Sequence, residues 1–211
     1  MKALLKYVAC VLLVAVAGAA MGADPREGQD YLVLDPPRSE QNGGRIEVIE
    51  FFYYGCPVCF ESQPYVARWL TNARADVALR RVPAAGEGSE SFALTFYALE
   101  ATGELARLHR PVYENHHFDD RRLHEERSLL EWLAGNGLDA ERFREVRNSA
   151  EIRARVAAAR ELFLAYGVRG VPSFAVDGKY LTSARLAGGV KEMMDVVEFL
   201  VGLAREQRRA R

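Results

Sequence analysis

Apolar and polar residues follow two different periods along the chain, and the change of period separates strands from helices. Residues 47–53 are rich in β-branched and aromatic side chains, which predicts a strand buried on both faces. A helix should begin at Pro57, because proline fits the first turn of a helix, and should run over residues 57–72. Residues 77–82 predict a second strand. A strand, a helix and a strand in this order form a βαβ unit, so the two strands should be parallel.

Between residues 89 and 166 the apolar positions recur at helical spacing throughout. The predicted helices cover residues 92–103, 105–113, 123–133 and two further stretches, one capped by Asp139 and the other ending at Tyr166. So many helical residues between two sheet segments exceed what a crossover connection needs. They predict an inserted, all-helical subdomain.

The strand pattern returns after this helical stretch. Residues 173–176 and 179–181 predict two strands joined by the two-residue turn Asp177-Gly178, and residues 190–207 predict a closing amphipathic helix. Residues 31–34 predict a short edge strand. We therefore predict an α/β fold whose single core, formed by residues 24–84 and 167–211, is interrupted by the helical subdomain at residues 85–166.

The first 23 residues have the layout of a cleavable signal peptide. Lys2 and Lys6 form a positive region, residues 7–17 are apolar, and residues 18–23 are small or apolar near a cleavage site. A membrane anchor is the alternative, but the uncharged stretch at residues 7–23 is short for a spanning helix. The sequence therefore predicts an exported protein.

The composition and net charge exclude some classes of function for this protein. The chain has 211 residues, 49% of them hydrophobic and 27% charged, an ordinary globular profile. Its net charge is −1, and loss of Lys2 and Lys6 with the signal peptide leaves −3. A nucleic-acid-binding surface normally needs a basic excess, so no nucleic-acid partner is expected.

Two cysteines remain after signal cleavage, since Cys10 lies in the removed segment. Cys56 and Cys59 are two residues apart, and a disulfide that closes so small a loop constrains the unfolded chain little. This spacing favours a redox role over a structural one. A zinc site needs about four ligands. The available histidines lack finger-like spacing and are predicted at the surface of the helical region: His109, His116, His117 and His124. We expect neither a metal nor a cofactor.

The pair lies where a predicted strand ends and a predicted helix begins. Free backbone N–H groups and the helix dipole stabilise a thiolate at a helix N-terminus, and the thiolate is the reactive form. Cys56 is therefore the predicted nucleophile, and Cys59, one turn further in, would resolve a mixed disulfide. Glu50 has two interpretations, either a strand-end residue facing solvent or a buried acid that exchanges a proton with Cys59.

These residues resemble the thioredoxin superfamily and, within it, the DsbA family of thiol–disulfide oxidoreductases. The resemblance covers nearly all of the mature chain. It rests on the helical insertion and on four motifs: Glu50-Phe51-Phe52, Cys56-Pro57-x-Cys59, Arg81-Val82-Pro83 and Gly170-Val171-Pro172 followed by Asp177-Gly178-Lys179-Tyr180. It implies a thioredoxin fold interrupted by a helical domain, and an apolar substrate groove beside Cys56. It also implies a cis peptide bond at Pro172, which would leave the backbone of Val171 free to pair with substrate.

The resemblance implies a periplasmic protein that transfers its Cys56–Cys59 disulfide to reduced or unfolded exported proteins. A DsbB-type, quinone-coupled membrane oxidase would restore the disulfide. One departure matters, because Val58 stands where the family has histidine and can neither donate a hydrogen bond nor carry charge. We therefore expect a weaker oxidant, which leaves the direction of the reaction open.

Other functions stay open at this point. A disulfide reductase or isomerase of the same fold is one alternative, although the segment at residues 23–45 is too short for the dimerisation domain that such isomerases carry, so we expect a monomer. A thioredoxin-fold binding module or chaperone with a structural disulfide is another, and a metal chaperone is a third.

Overall fold

Five strands form one mixed sheet in the computed structural model, which describes residues 24–38 and 44–210. The strands are β1 (Leu32–Val33), β2 (Ile46–Phe52), β3 (Val77–Pro83), β4 (Ser173–Val176) and β5 (Tyr180–Ser183). They lie in the order β1-β5-β4-β2-β3, with β2 parallel to β3 and the other pairs antiparallel. The parallel pair confirms the predicted βαβ unit. The predicted signal peptide at residues 1–23 and most of the turn at residues 42–44 lie outside the described residues.

Eight helices accompany the sheet in the part of the chain that the structure describes. They are α1 (Pro57–Asn72), α2 (Glu90–Ala101), α3 (Leu105–His117), α4 (Glu126–Gly135), α5 (Ala140–Arg147), α6 (Ala150–Ala165), α7 (Ala184–Ala187) and α8 (Val190–Arg209). Helices α2 to α6 fall between β3 and β4, so the predicted helical insertion is present. No helix within residues 24–38 and 44–210 combines the length and the apolar character that crossing a membrane requires.

The sheet separates two apolar cores, and β2 contributes to both. Ile46 and Val48 pack in one core with Met193 of α8. Ile49 and Phe51 pack in the other core with the helices of the insertion. Successive residues of a strand face opposite sides of the sheet, so a strand with apolar residues on both faces needs cover on both. All seven residues of β2 are buried, as predicted.

Two helix boundaries in the insertion differ from the prediction by three or more residues. Helix α3 continues to His117, beyond the expected end at residue 113. Helix α4 begins at Glu126, whereas a start at residue 123 was predicted, because Leu123 is fully buried in the turn that precedes the helix. An apolar residue buried from a turn has the same sequence signature as one on a helix face. The short helix α7 was not predicted, since four residues are too few to show a period.

Candidate active site

Cys56 is the N-cap of α1, and its own sulfur caps the helix. Its backbone is extended, and the N–H of Cys59 donates to Cys56 Sγ over 3.3 Å. Pro57 follows in the first turn, where the missing N–H removes no helical hydrogen bond. Gly55 precedes the cap because a Cβ atom there would lie 2.6 Å from the ring of Tyr53. The local sequence therefore places a thiol at the positive end of a helix dipole, as predicted.

The two thiols have opposite electrostatic environments. Hydrogen bonding from the Cys59 side chain, together with the backbone N–H groups of Cys59 and Val58, lowers the pKa of Cys56 to about 6 despite partial burial. Burial raises the pKa of Cys59, and its hydrogen bond to Cys56 raises it further. Both cysteines are free thiols, with Cys56 half-buried and Cys59 buried. At neutral pH this arrangement makes Cys56 the thiolate and keeps Cys59 protonated.

The loop before β4 reaches the reactive sulfur. The Val171–Pro172 peptide bond is cis, as the resemblance implied, and a second cis bond joins Asp35 to Pro36. Cys56 Sγ lies 3.6 Å from the carbonyl oxygen of Val171. The structure thus brings the predicted loop and the predicted nucleophile together.

A groove of about 910 Å³ extends from this point along the surface. Val58, Val171 and Pro172 line it at the end next to the dithiol. Val58 is 40% exposed, so its side chain is available for contact with a bound molecule. The groove matches the apolar substrate groove that the resemblance implied beside Cys56.

Glu50 is fully buried at the centre of the sheet, so the interpretation in which it faces solvent is wrong. Arg81 Nε donates to Glu50 Oε2 over 2.9 Å, and Gln63 Nε2 donates to Glu50 Oε1 over 3.0 Å. The same Gln63 amide donates to the carbonyl oxygen of Cys59 over 3.2 Å. A buried carboxylate is costly without such partners. Glu50 is therefore linked to Cys59 through one side-chain amide.

Sequence reasoning missed Gln63 and the role of Arg81. Signals for both were available. Gln63 is four residues after Cys59, which places the two on one face of α1. Arg81 is the residue paired with Glu50 in the parallel register of β2 and β3, and that register follows once the βαβ unit is aligned.

Tyr54 lies two residues before Cys56, and helix α3 of the insertion contacts both its hydroxyl group and its backbone oxygen. Tyr54 Oη and His109 Nδ1 are hydrogen-bonded over 2.7 Å, and His117 Nε2 donates to the backbone oxygen of Tyr54 over 2.8 Å. The His117 ring also stacks on Phe60, with centroids 5.2 Å apart. We call this set of contacts the Tyr54 clamp. It fixes the residues on either side of the dithiol to the insertion.

The Tyr54 clamp corrects the prediction that the histidines lie at the surface. His109 is only 8% exposed. Burial, followed by the charge of Arg81, lowers the pKa of His109 to about 3, so its ring is neutral at ordinary pH. His116 and His117 are half-buried, and only His124 is exposed. Among the described residues, no three His, Cys, Asp or Glu side chains form a group suited to a metal ion.

A low-pKa thiol capping a helix, a buried partner one turn further in, and a cis-proline loop against the reactive sulfur define a thioredoxin-fold dithiol oxidoreductase. Comparison with known proteins agrees. Residues 47–198 match the DSBA-like thioredoxin domain family. The chain is 34% identical to the thiol:disulfide interchange protein DsbA of Pseudomonas aeruginosa over 184 residues, 87% of either chain. It is 37% identical to DsbA of Bordetella parapertussis over 181 residues, 85% of this chain and 84% of the other.

The fold comparison gives the same result. The crystal structure of Pseudomonas aeruginosa DsbA superposes with a TM-score of 0.83 at 33% identity, covering 88% of this chain and 97% of that one. The chain therefore belongs to the DsbA-like thioredoxin family.

We predict that Val58→His lowers the pKa of Cys56 and makes the reduction potential of the dithiol more positive. Val58 offers the thiolate no donor and no charge, whereas histidine can supply both. A gain of about 1.4 kcal/mol in thiolate stabilisation corresponds to roughly 30 mV. For the wild type we expect a potential between the references, about −270 mV for thioredoxin and about −120 mV for DsbA. Equilibration with glutathione and thiolate absorbance near 240 nm measure both quantities. Val58→Leu is the matched control, and equal values for all three proteins would contradict the prediction.

Proposed function

We propose that the chain is an exported thiol–disulfide interchange protein that donates the Cys56–Cys59 disulfide to reduced protein substrates. The observation that carries this proposal is the contrast between the two thiols, one with its pKa lowered to about 6 at the mouth of a groove and the other buried with its pKa raised. A structural disulfide would need no such contrast. This contrast therefore favours thiol–disulfide exchange over a binding module whose disulfide is structural.

The geometry supports a two-step exchange. A substrate thiolate attacks Cys56 Sγ of the disulfide, a substrate–Cys56 bond forms, and Cys59 leaves as a thiolate that takes up a proton because its pKa is raised. A second substrate thiolate then attacks the substrate sulfur of this mixed disulfide, and Cys56 leaves as a stabilised thiolate. The substrate gains a disulfide and the protein becomes a dithiol. A leaving thiol of lower pKa departs faster, which favours this direction.

We further propose that Glu50 exchanges a proton with Cys59, while the Gln63 amide, which donates to Glu50 Oε1 and to the backbone oxygen of Cys59, holds the carboxylate in place. Pro57 and Val58 would tune the pKa of Cys56, and Val171 with Pro172 would align the substrate backbone. The division into a signal peptide (1–23), a two-part core (24–84 and 167–211) and a helical subdomain (85–166) completes this proposal.

Family membership and the N-terminal sequence support a proposal for the compartment and the reoxidising partner. We propose export to the periplasm, a monomeric protein, and reoxidation by a DsbB-type membrane oxidase coupled to quinone. Val58, in place of histidine, favours a second candidate within the same chemistry, a reductase or isomerase. The reduction potential decides between the two, since a value near that of thioredoxin would make the dithiol a reductant in this compartment.

The experiment that tests exchange is a pair of single-cysteine variants. We expect Cys59→Ala to accumulate mixed disulfides through Cys56 with a disulfide-bonded protein substrate, because the Cys56 thiolate opens the substrate disulfide and no second thiol of the protein resolves the adduct. Cys56→Ala should form none and should lose insulin-disulfide reduction. Non-reducing electrophoresis and mass spectrometry identify the adducts. Adducts on Cys59 in place of Cys56 would reverse the roles, and full function in both variants would show a structural disulfide.

A further inference from the structure

We propose that the groove beside Cys56 selects substrate segments that carry an acidic side chain and apolar neighbours next to the reacting cysteine. The inference rests on the proposed exchange function and names the substrate class for that same site. Two observations carry it: the apolar lining of the groove, and arginines along it that have no acidic partner in the part of the chain that the structure describes.

The apolar part of the groove collects most of the exposed large hydrophobic side chains of the described chain. These are Leu32, Val33, Leu70, Phe118, Leu164 and Val58, and all but Leu70 and Phe118 line the groove. Leu164 is 72% exposed, and Val33 of the edge strand β1 is 46% exposed. Apolar side chains gathered in one concave surface mark an interaction site, whereas single scattered ones do not. The groove therefore suits an extended segment with apolar residues.

Three arginines line the same groove, Arg38, Arg169 and Arg185. Within residues 24–38 and 44–210, none of the three forms an ion pair or a side-chain hydrogen bond, and Arg38 Nε is buried without a partner. Arg107 and Arg110 of the insertion, by contrast, each pair with a glutamate of their own helix region. The groove thus presents guanidinium groups that no carboxylate of residues 24–38 and 44–210 neutralises, although the mature protein carries a net negative charge.

Arg169 and Arg185 flank the part of the groove that lies against the reactive sulfur. Arg169 is two residues before Val171, whose carbonyl oxygen lies 3.6 Å from Cys56 Sγ. Arg185 follows Ala184, whose N–H donates to the carbonyl oxygen of Pro172 over 3.4 Å. Both arginines line the same groove as Val171 and Pro172, so a substrate segment that occupies the groove with its cysteine bonded to Cys56 would pass these two positive charges. Planar guanidinium groups bind carboxylates in paired hydrogen bonds, so an acidic neighbour is the matching side chain.

Two carboxylates, Asp35 and Glu61, also line the groove. They restrict the expected preference for an acidic residue to one side of the groove. Glu61 lies on α1, one turn after Val58, whereas Arg169 and Arg185 belong to the loop and helix around Pro172. An acid on the α1 side would meet Glu61 and be repelled. The preference should therefore hold for an acidic residue on one side of the reacting cysteine and be absent or reversed for the same residue on the other side.

The test uses oxidised wild-type protein and single-cysteine peptides that are identical except for glutamate, glutamine or lysine next to the cysteine, on either side. We expect the glutamate peptide to form the mixed disulfide about three to ten times faster than the lysine peptide at low salt, the range for rim charges at an interface. The preference should shrink in 0.5 M NaCl, because salt screens exposed charges. Arg169→Gln with Arg185→Gln should remove it, while Arg127→Gln, exposed on α4, should keep it.

The outcomes separate this inference from the proposed function. Equal rates for all peptides, or faster reaction of the lysine peptide on both sides of the cysteine, would overturn the acidic preference while leaving exchange intact. If no peptide reacts although dithiothreitol reduces the disulfide, the exchange function itself fails. Loss of the preference in Arg127→Gln would show a general charge effect and would also overturn the inference. The rate at which dithiothreitol, a neutral thiol, reduces the disulfide should be the same in Arg127→Gln as in the wild type.

Discussion

Replacing Arg81 with methionine should destabilise the protein by about 3–5 kcal/mol at pH 7, because the change removes one partner of a buried ion pair. The Glu50 carboxylate is fully buried, and Arg81 is its charged partner at 2.9 Å. Without Arg81 the carboxylate keeps only the amide of Gln63 as a donor. Desolvation of a charge that is left unpaired dominates the cost. Urea denaturation followed by circular dichroism at pH 7 measures the loss.

A double variant distinguishes the unpaired charge from lost packing. Glu50→Gln combined with Arg81→Met replaces both charges with neutral side chains of similar size, and we expect it to recover most of the stability, since neutral replacements of buried pairs are often tolerated. Arg153→Met is the matched control, because Arg153 is exposed on α6 and forms no ion pair with the described residues. A double variant as unstable as Arg81→Met would assign the loss to packing of the arginine stem.

How far the sequence predicts this site depends on the distance along the chain over which each contact acts. The junction of β2 and α1 has a local sequence signature. The placement of Cys56 and Cys59 at the start of a helix could therefore be predicted from neighbouring residues. The partner of Glu50 could not be read in the same way, because Arg81 is 31 positions away and only the strand register brings it close. Burial of Glu50 was undecided for the same reason.

The helical insertion shows the same limit. A change from strand period to helical period predicted its existence, and Asp139 caps α5 as expected by accepting from the N–H of Arg142. Which residues of the insertion contact the sheet is a tertiary property. The two hydrogen bonds of the Tyr54 clamp join residues 55 and 63 positions apart. Histidine on a helix carries no sequence signal that separates a buried ring from an exposed one, and the surface prediction for His109 was wrong for that reason.

The neutral His109 should make the protein less stable as the pH falls from about 6.5 toward 3. Its pKa is about 3 in the folded protein and about 6.5 when unfolded, so in this window the unfolded chain binds a proton that the folded chain excludes. Its contribution to stability is complete above pH 6.5 and is lost as the pH decreases. Between pH 7 and pH 4 we expect a loss of about 3 kcal/mol from this residue. Urea denaturation at several pH values measures it.

His109→Gln is the control for this pH dependence. Glutamine can keep a hydrogen bond to Tyr54 Oη but does not titrate, so the variant should lose about 3 kcal/mol less than the wild type between pH 7 and pH 4. Carboxylates titrate in both proteins and cancel in the difference. The variant can be less stable than wild type at pH 7, because the smaller side chain fills less of the core. If the free energy of unfolding of both proteins fell equally over this pH range, the result would contradict a neutral, buried His109 ring.

Because the Tyr54 clamp joins the two parts of the chain, the insertion is not an exchangeable module. A chimera that kept this sheet and took its helical segment from a relative would retain both cysteines. Unless the donor segment supplied histidines at the positions of His109 and His117, it would lose both partners of Tyr54. Excising the segment to make a minimal thioredoxin would also uncover the ring of Phe60 beside Cys59. Evolutionary change in either part is therefore constrained by the other, and an engineered version has to transplant the clamp as a unit.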